Sequence, residues 1–243
     1  MQIITVANQK GGTGKTATAA ALLQAATKSE QRALAIDLDP QCNLSFALDA
    51  AGGGGTSLDL LEGTPARRLI QSVNGIDIIP ASWSLATIKS APGSAKRLEK
   101  ALQPIKSKYD LIIIDTPPTV GELQYNALQA STGLLLPLQA DIYSLQGLYQ
   151  IADTAAQFKK SNPALTITGV IITRYNGRST IAKQMQQTIA DTAANLDIPY
   201  LGTIREGIAI QEAAALKANL FDYAPTSKPA QDLMQLYKTI TEE

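Results

Sequence analysis

Two lysines, Lys10 and Lys15, flank the stretch Gly11-Gly12-Thr13-Gly14, and Thr16 and Ala17 follow. These residue types at this spacing suit the cradling of phosphate. Glycine reaches backbone conformations that turn successive N–H groups inward onto oxygens. A helix that begins near Lys15 adds the positive end of its dipole. Lys15 can neutralise the β and γ phosphates of a nucleotide, and the Thr16 hydroxyl can ligate Mg²⁺. The stretch ends as the loop G-x-x-x-x-G-K-[ST] requires, but Gln9 stands where that loop has its first glycine. Lys10 is the odd residue, because an ordinary phosphate loop does not need it. It reads either as a solvated loop lysine or as a cation that reaches a partner subunit's phosphates, as an arginine finger does in trans.

Three carboxylates could complete such a site. Asp37, Asp39 and Asp115 each follow an apolar run, at what would be the C-terminal edge of a parallel sheet, where open α/β folds bind ligands. Asp115 closes a run of four aliphatics and would emerge beside the loop, placed to hold the hydration shell of Mg²⁺. Asp37 and Asp39 would leave the same face of an extended chain. One could then orient an attacking water and the other bind metal-linked water. The alternative is that these are strand-end or helix-capping aspartates. Other chemistries are closed by composition. There is no histidine, so a Ser-His-Asp triad, a His-ligated zinc and a His general base are impossible. One cysteine, Cys42, excludes a disulfide framework within the chain.

The elements that must position these residues show in the hydropathy pattern. Short apolar runs lie at residues 3–7, 33–36, 76–79, 111–114, 134–138, 167–172 and 200–204. Several do not alternate, as expected of strands buried on both faces. Between most of them lie helical stretches: an Ala-rich one at 15–29 and amphipathic ones at 144–160, 179–195 and 228–241. The alternation predicts an α/β fold, a mostly parallel twisted sheet with helices on both faces. No linker divides the chain, so residues 1–243 are expected to form a single domain. The glycine run within 50–55 reads as a surface loop, and Trp83 and the tyrosines as packing residues. Lys and Arg number 21, as do Asp and Glu, so a globally basic nucleic-acid binder is excluded and a local basic patch is not. No apolar run reaches membrane-spanning length. The N-terminus shows no basic leader region and the chain ends in glutamates, which together predict a cytoplasmic protein that does not bind membranes.

Lys10-Gly11-Gly12-Thr13-Gly14-Lys15-Thr16 resembles the deviant Walker A motif of the ParA/MinD superfamily of ATPases. Asp37-Leu38-Asp39-Pro40-Gln41 resembles the second acidic motif in its ParA-type form. Leu111 to Pro118 resembles the Walker B strand. Ile172-Thr173-Arg174-Tyr175 and the segment from Ala224 to Gln231 are similar to later ParA segments. The likeness runs over nearly the whole chain.

It implies a P-loop ATPase that takes ATP and Mg²⁺. Lys10 would contact nucleotide across a dimer, Asp39 would be the catalytic carboxylate, and Asp37 would support Mg²⁺ together with Thr16 and Asp115. Thr173, Arg174 and the backbone from Ile204 to Gly207, with Arg205, fall where the family holds adenine. Cys42 stands where the ParA pattern has glycine and is expected to be a tolerated small residue. Too few cysteines remain for the iron–sulfur branches. No amphipathic tail suits the MinD branch, and no room precedes the loop for the helix-turn-helix of larger plasmid forms. The short ParA type is left. It implies an ATP-dependent homodimer that binds DNA non-specifically, associates with the nucleoid, and is triggered by a ParB-like partner to segregate a plasmid, mobile element or chromosome. Candidate DNA contacts are Arg178, Lys183, Arg205 and Lys217. The chain departs from the family at Ala209, where many members carry a DNA-binding arginine. A second implied role is a positioning or assembly ATPase whose cargo is a protein complex, with no part played by DNA.

Overall fold

The computed structural model describes residues 1–50 and 52–241. Ala51, from the expected surface loop, and the acidic pair Glu242-Glu243 lie outside the described residues.

Eight strands form one sheet. They are β1 (Gln2–Val6), β2 (Ala33–Asp37), β3 (Gln71–Val73), β4 (Ile76–Ile79), β5 (Leu111–Asp115), β6 (Gly133–Leu138), β7 (Thr166–Tyr175) and β8 (Tyr200–Arg205). Their order across the sheet is β3-β4-β2-β5-β1-β6-β7-β8. Every pairing is parallel except β3 with β4. The helices are α1 (Lys15–Lys28), α2 (Asn43–Ala47), α3 (Ser57–Leu61), α4 (Arg97–Leu102), α5 (Glu122–Ala130), α6 (Ile142–Phe158), α7 (Thr180–Asn195), α8 (Ala209–Ala215), α9 (Leu220–Tyr223) and α10 (Lys228–Thr241). Gly52–Gly54 make a single 3₁₀ turn, and Gly53 and Gly54 are exposed.

Both sheet faces are covered, which is why the central strands carry aliphatics without alternation. Along β5, Leu111 and Ile113 pack under α1 and α10, while Ile112 and Ile114 pack with α3, α4 and α5. A third apolar cluster joins β6 and β7 to α6 and α7. The alanines of α1 let that helix lie close to the sheet. Leu22 and Leu23 are fully buried there, each stabilising the fold by about 1.5–3 kcal/mol relative to exposure. This packing fixes the start of α1 directly beyond the end of β1.

One expectation about packing fails. Trp83 sits in a 3₁₀ segment, Trp83–Thr87, and is 74% exposed. Tyr143 and Tyr149 of α6 are exposed as well, whereas Tyr109 and Tyr237 are buried as expected.

Candidate nucleotide site

The register of the central strands assembles the site. Val6 at the end of β1 pairs with Asp115, and Asp115 pairs with Asp37. Three strand ends and the loop after β1 therefore meet at one point on the C-terminal edge.

The loop from Asn8 to Gly14 turns over this edge. Gly12 and Gly14 have φ of 75° and 81°, a region where a side chain is strained. The carbonyls of the loop are tied down from outside. The Thr173 hydroxyl donates to Thr13 O at 2.8 Å, and Gln139 Nε2 donates to Gly12 O at 3.0 Å. Asn8 Oδ1 accepts from Lys10 N at 2.9 Å. With the carbonyls held outward, the loop's N–H groups are left for a ligand. No side chain caps the N-terminus of α1, whereas Asp141 caps α6 and Ser179 caps α7. Uncapped helix N–H groups beside a lysine form an anion site.

Lys15 is 7% exposed, and its ammonium donates only to Lys10 O, at 3.3 Å, among the described residues. Burial pulls its pKa below the ordinary lysine value, against the opposing pull of Asp115 and Asp39. A phosphate chain would relieve that desolvation.

The carboxylates divide by environment. β2 ends at Asp37, and Asp37 and Asp39 make different contacts. Asp37 Oδ1 accepts from Asp39 N at 3.0 Å, and its Oδ2 accepts from Ser45 N at 2.9 Å and Ser45 Oγ at 2.7 Å. Asp37 thus anchors α2 and the turn before it, with both oxygens engaged, behind the wall of the cavity. Burial raises its pKa to about 6 despite those hydrogen bonds. Asp39 does line the cavity. Its Oδ1 accepts from Gln41 N at 2.9 Å, and no donor among the described residues reaches Oδ2.

Asp115 is fully buried. Its Oδ2 accepts from Thr16 Oγ1 at 2.7 Å, and its Oδ1 has no partner among the described residues. Burial first, and the Asp37 charge second, hold its pKa well above the usual carboxylate range. An orphaned buried carboxylate oxygen behind a loop hydroxyl fits a hydrated divalent cation, so Thr16 and Asp115 are the residues that would hold Mg²⁺.

This arrangement has a measurable consequence. A carboxyl whose folded pKa lies above its unfolded one keeps its proton longer in the fold, so stability falls as pH rises through that window. Asp115→Asn removes the buried charge. In nucleotide-free protein at neutral pH it should recover about 1–3 kcal/mol, an upward shift of roughly 2–4 °C in Tm per kcal/mol. The gain should shrink as pH falls and wild-type Asp115 itself becomes protonated. Differential scanning calorimetry of both proteins across this range checks the sign. A variant less stable than wild type at neutral pH would show that the charge is compensated.

The phosphate loop opens into a cavity of about 450 Å³. Gly11 to Ala17 line one side, and Thr173, Arg174 and Arg205 the other. Lys10 does not line it. Its ammonium leaves the loop for Asp141 Oδ2 at 2.5 Å and lies 5.6 Å from the centre of the Tyr143 ring. Sequence reasoning missed Asp141, although Asp141-Ile142-Tyr143-Ser144 after a strand carries the helix-capping pattern. It also missed Asn8 and Gln139, which hold the loop, and the cavity lining of Pro118, Ile210, Gln211 and Leu233. Those four come from three separate segments, Ile210 and Gln211 being neighbours on α8, and leave no local signal.

Two of the expected DNA-contact cations are ion-paired within the chain. Arg205 is locked in a fork on Asp232, with Nε at 2.8 Å and Nη2 at 2.6 Å from its two oxygens. Lys217 pairs with Asp49 over the Phe46 ring. Arg178 and Lys183, at the start of α7, are exposed and without ion pairs among the described residues. Ala209 is buried. Cys42 is half-buried, and burial together with Asp37 and Asp39 raises its thiol pKa, which agrees with an inert residue. Among the described residues no helix is long and apolar enough to cross a membrane.

Comparison with known proteins agrees with this geometry. The AAA domain family matches residues 1–167. The chain is 34% identical to the chromosome-partitioning ATPase Soj of Thermus thermophilus, over 99% of this chain and 94% of that one. It is 31% identical to the sporulation initiation inhibitor protein Soj of Bacillus subtilis, over 98% of both. Among solved structures, the septum site-determining protein MinD of Pyrococcus horikoshii, complexed with Mg-ADP, superposes with a TM-score of 0.81. It is 26% identical and covers 98% of this chain and 94% of its own.

Proposed function

Because this chain belongs to the ParA/MinD superfamily of ATPases, in its short ParA form, we propose that it is a partition ATPase worked by a nucleotide-closed dimer. ATP binding with Mg²⁺ closes two subunits face to face. The closed dimer binds DNA without sequence preference and so rides on the nucleoid. A ParB-like partner stimulates hydrolysis and releases it, segregating a plasmid, mobile element or chromosome.

The observation that carries this reading is Lys10, a loop lysine whose side chain turns away from its own cavity. The sheet edge around it supports a dimer as well. Phe46, Trp83, Val120, Ile142 and Ile208 are all exposed, and each follows the C-terminal end of a parallel strand. Apolar side chains collected at one edge suit contact with a second copy.

Within the site, Asp39 would orient the attacking water through its free oxygen. Lys15, and Lys10 of the facing subunit, would offset charge that develops on the γ-phosphoryl oxygens. Thr16 and Asp115 would hold Mg²⁺, which would supply positive charge to offset that of the phosphates. Arg174 and Thr173 would border the base. The DNA contacts rest on Arg178 and Lys183.

A second reading is a positioning ATPase for a protein complex, without DNA. The ion pairs of Arg205 and Lys217 and the buried Ala209 favour it, since they engage two of the four cations proposed to contact DNA.

One experiment separates these ideas. Light scattering with ATP should show wild-type protein as a dimer, and ADP should favour the dimer less. Lys10→Ala should bind ATP through Lys15 yet stay monomeric. A gel-shift series on random-sequence DNA, run with ATP at two salt concentrations, should retard DNA with wild type alone and weaken steeply with salt. A Lys10→Ala protein that dimerises as well as wild type removes the trans role. A wild-type dimer that leaves DNA unshifted selects the positioning reading.

A further inference from the structure

A second cavity, of about 620 Å³, opens on the sheet face covered by α3 and α4 and shares no residue with the nucleotide cavity. Its floor is apolar, with Leu61, Ala101, Pro104 and Ile105 contributing. Its rim is cationic. Arg67, Arg97, Lys100 and Lys108 line it, and Glu62 is the one acidic residue that does. None of the four cations has an ion-pair partner among the described residues, in a chain whose net charge is zero. Four cations against one carboxylate around an apolar floor concentrate positive charge locally in a protein whose carboxylates are as numerous as its cations.

The spacing argues for an extended ligand over a point anion. Arg97 and Lys100 stand one turn apart on α4, and Lys108 follows beyond the end of that helix. The cations therefore form a row along the cavity. Nucleic acid would engage such a row through phosphate alone and leave the apolar floor uncovered. An amphipathic helix fills the floor with its apolar stripe and meets the row with carboxylates, by the helix-in-groove mode.

We propose that the cavity between α3 and α4, with its row of Arg97, Lys100 and Lys108 over an apolar floor, docks an acidic amphipathic helix of a partner protein. Because it shares no lining residue with the nucleotide cavity, filling one leaves the other open. Docking would then be independent of nucleotide. Electrostatic steering would make its on-rate fall with salt, while burial on the floor holds the bound state.

The probe is a fluorescein-labelled helical peptide with leucine at i, i+3, i+4 and i+7 and glutamate elsewhere, followed by fluorescence anisotropy against full-length protein. Wild type should bind it with ATP, with ADP or with neither. The double reversal Arg97→Glu/Lys100→Glu should weaken binding by roughly tenfold or more, the scale expected for like charges set against each other. Lys159→Glu/Lys160→Glu, an equal change of charge at the exposed end of α6, should leave binding intact. Both variants should hydrolyse ATP at the wild-type rate, which shows that they fold. No binding by wild type, equal binding by the Arg97→Glu/Lys100→Glu protein, or equal binding of a twin peptide with lysine for glutamate each overturns the proposal. So does a gel shift in which the Arg97→Glu/Lys100→Glu protein loses DNA and keeps the peptide, since the row would then be a nucleic-acid contact.

Discussion

Asp39→Ala protein should bind ATP about as well as wild type and turn it over about 10²–10⁴-fold more slowly, the range that a positioned acid–base group contributes. The expectation comes from the way the two oxygens of Asp39 are used. One accepts from Gln41 N and holds the turn, while the other faces the cavity with no donor from the described residues. A water-orienting group acts chiefly in the transition state, so its loss lowers kcat and spares ground-state contacts. Single-turnover hydrolysis, with equilibrium binding of a fluorescent ATP analogue measured in parallel, makes the distinction. If Asp39→Ala loses binding in proportion to turnover, Asp39 shapes the loop and does not act on water. Asp39→Asn is a useful companion, because its side-chain carbonyl can still accept from Gln41 N. If Asn restores turnover, the turn mattered and the charge did not.

Lys15→Ala should fail at an earlier step. The ammonium is nearly buried, its one protein partner is a backbone carbonyl, and desolvation already destabilises its charged form. A group held in that state gains more from a phosphate chain than a solvated lysine does. Removing one member of a buried charge pair costs about 2–5 kcal/mol, a loss of roughly 30-fold to several thousandfold in ATP affinity. Isothermal titration with ATP and Mg²⁺ measures it. Retained affinity would show that the loop's N–H groups and the start of α1 carry the phosphates unaided. The contrast with Lys10→Ala is informative. Both are lysines of one loop, but only Lys15 lines the cavity of its own subunit, so only Lys15→Ala should abolish binding by a monomer.

The sequence made much of this site legible, for identifiable reasons. Seven strands were readable because both faces of the sheet are covered and aliphatic runs result. β3 escaped because its three residues, Gln71, Ser72 and Val73, are exposed or half-buried and carry no apolar run. α5 escaped for the opposite reason. It buries Gln124, Asn126 and Gln129, which break the apolar period. Asn126 is satisfied by Glu122 one turn back on α5 and by Leu98 N, and Gln129 by Ser161; the contacts with Leu98 and Ser161 join segments in a way no local pattern reveals. The phosphate loop was legible because its glycines and lysines are adjacent in sequence. The different duties of Asp37 and Asp39 were not, because they depend on a turn after β2 and on Ser45 eight residues on. Trp83 shows the limit of reading by residue type. An indole suggests a core, and here it stands in solvent at the edge that carries the nucleotide site.

The strand order has a consequence for biosynthesis. β1, the strand that launches the phosphate loop, lies between β5 and β6, whose residues begin at Leu111 and end at Leu138. β1 is therefore made before either neighbour, and stays without both until more than a hundred further residues have followed it. At about 5–20 residues per second, that leaves the segment around Ile3 and Ile4 unpaired for roughly 5–25 s. Its apolar side chains and open hydrogen-bonding edges must be shielded during that interval, by nascent α1 or by a chaperone. A ribosome-bound chain that stops short of Leu111 cannot form the nucleotide cradle. Photocrosslinking of ATP to arrested nascent chains should therefore switch on only after β6 has emerged.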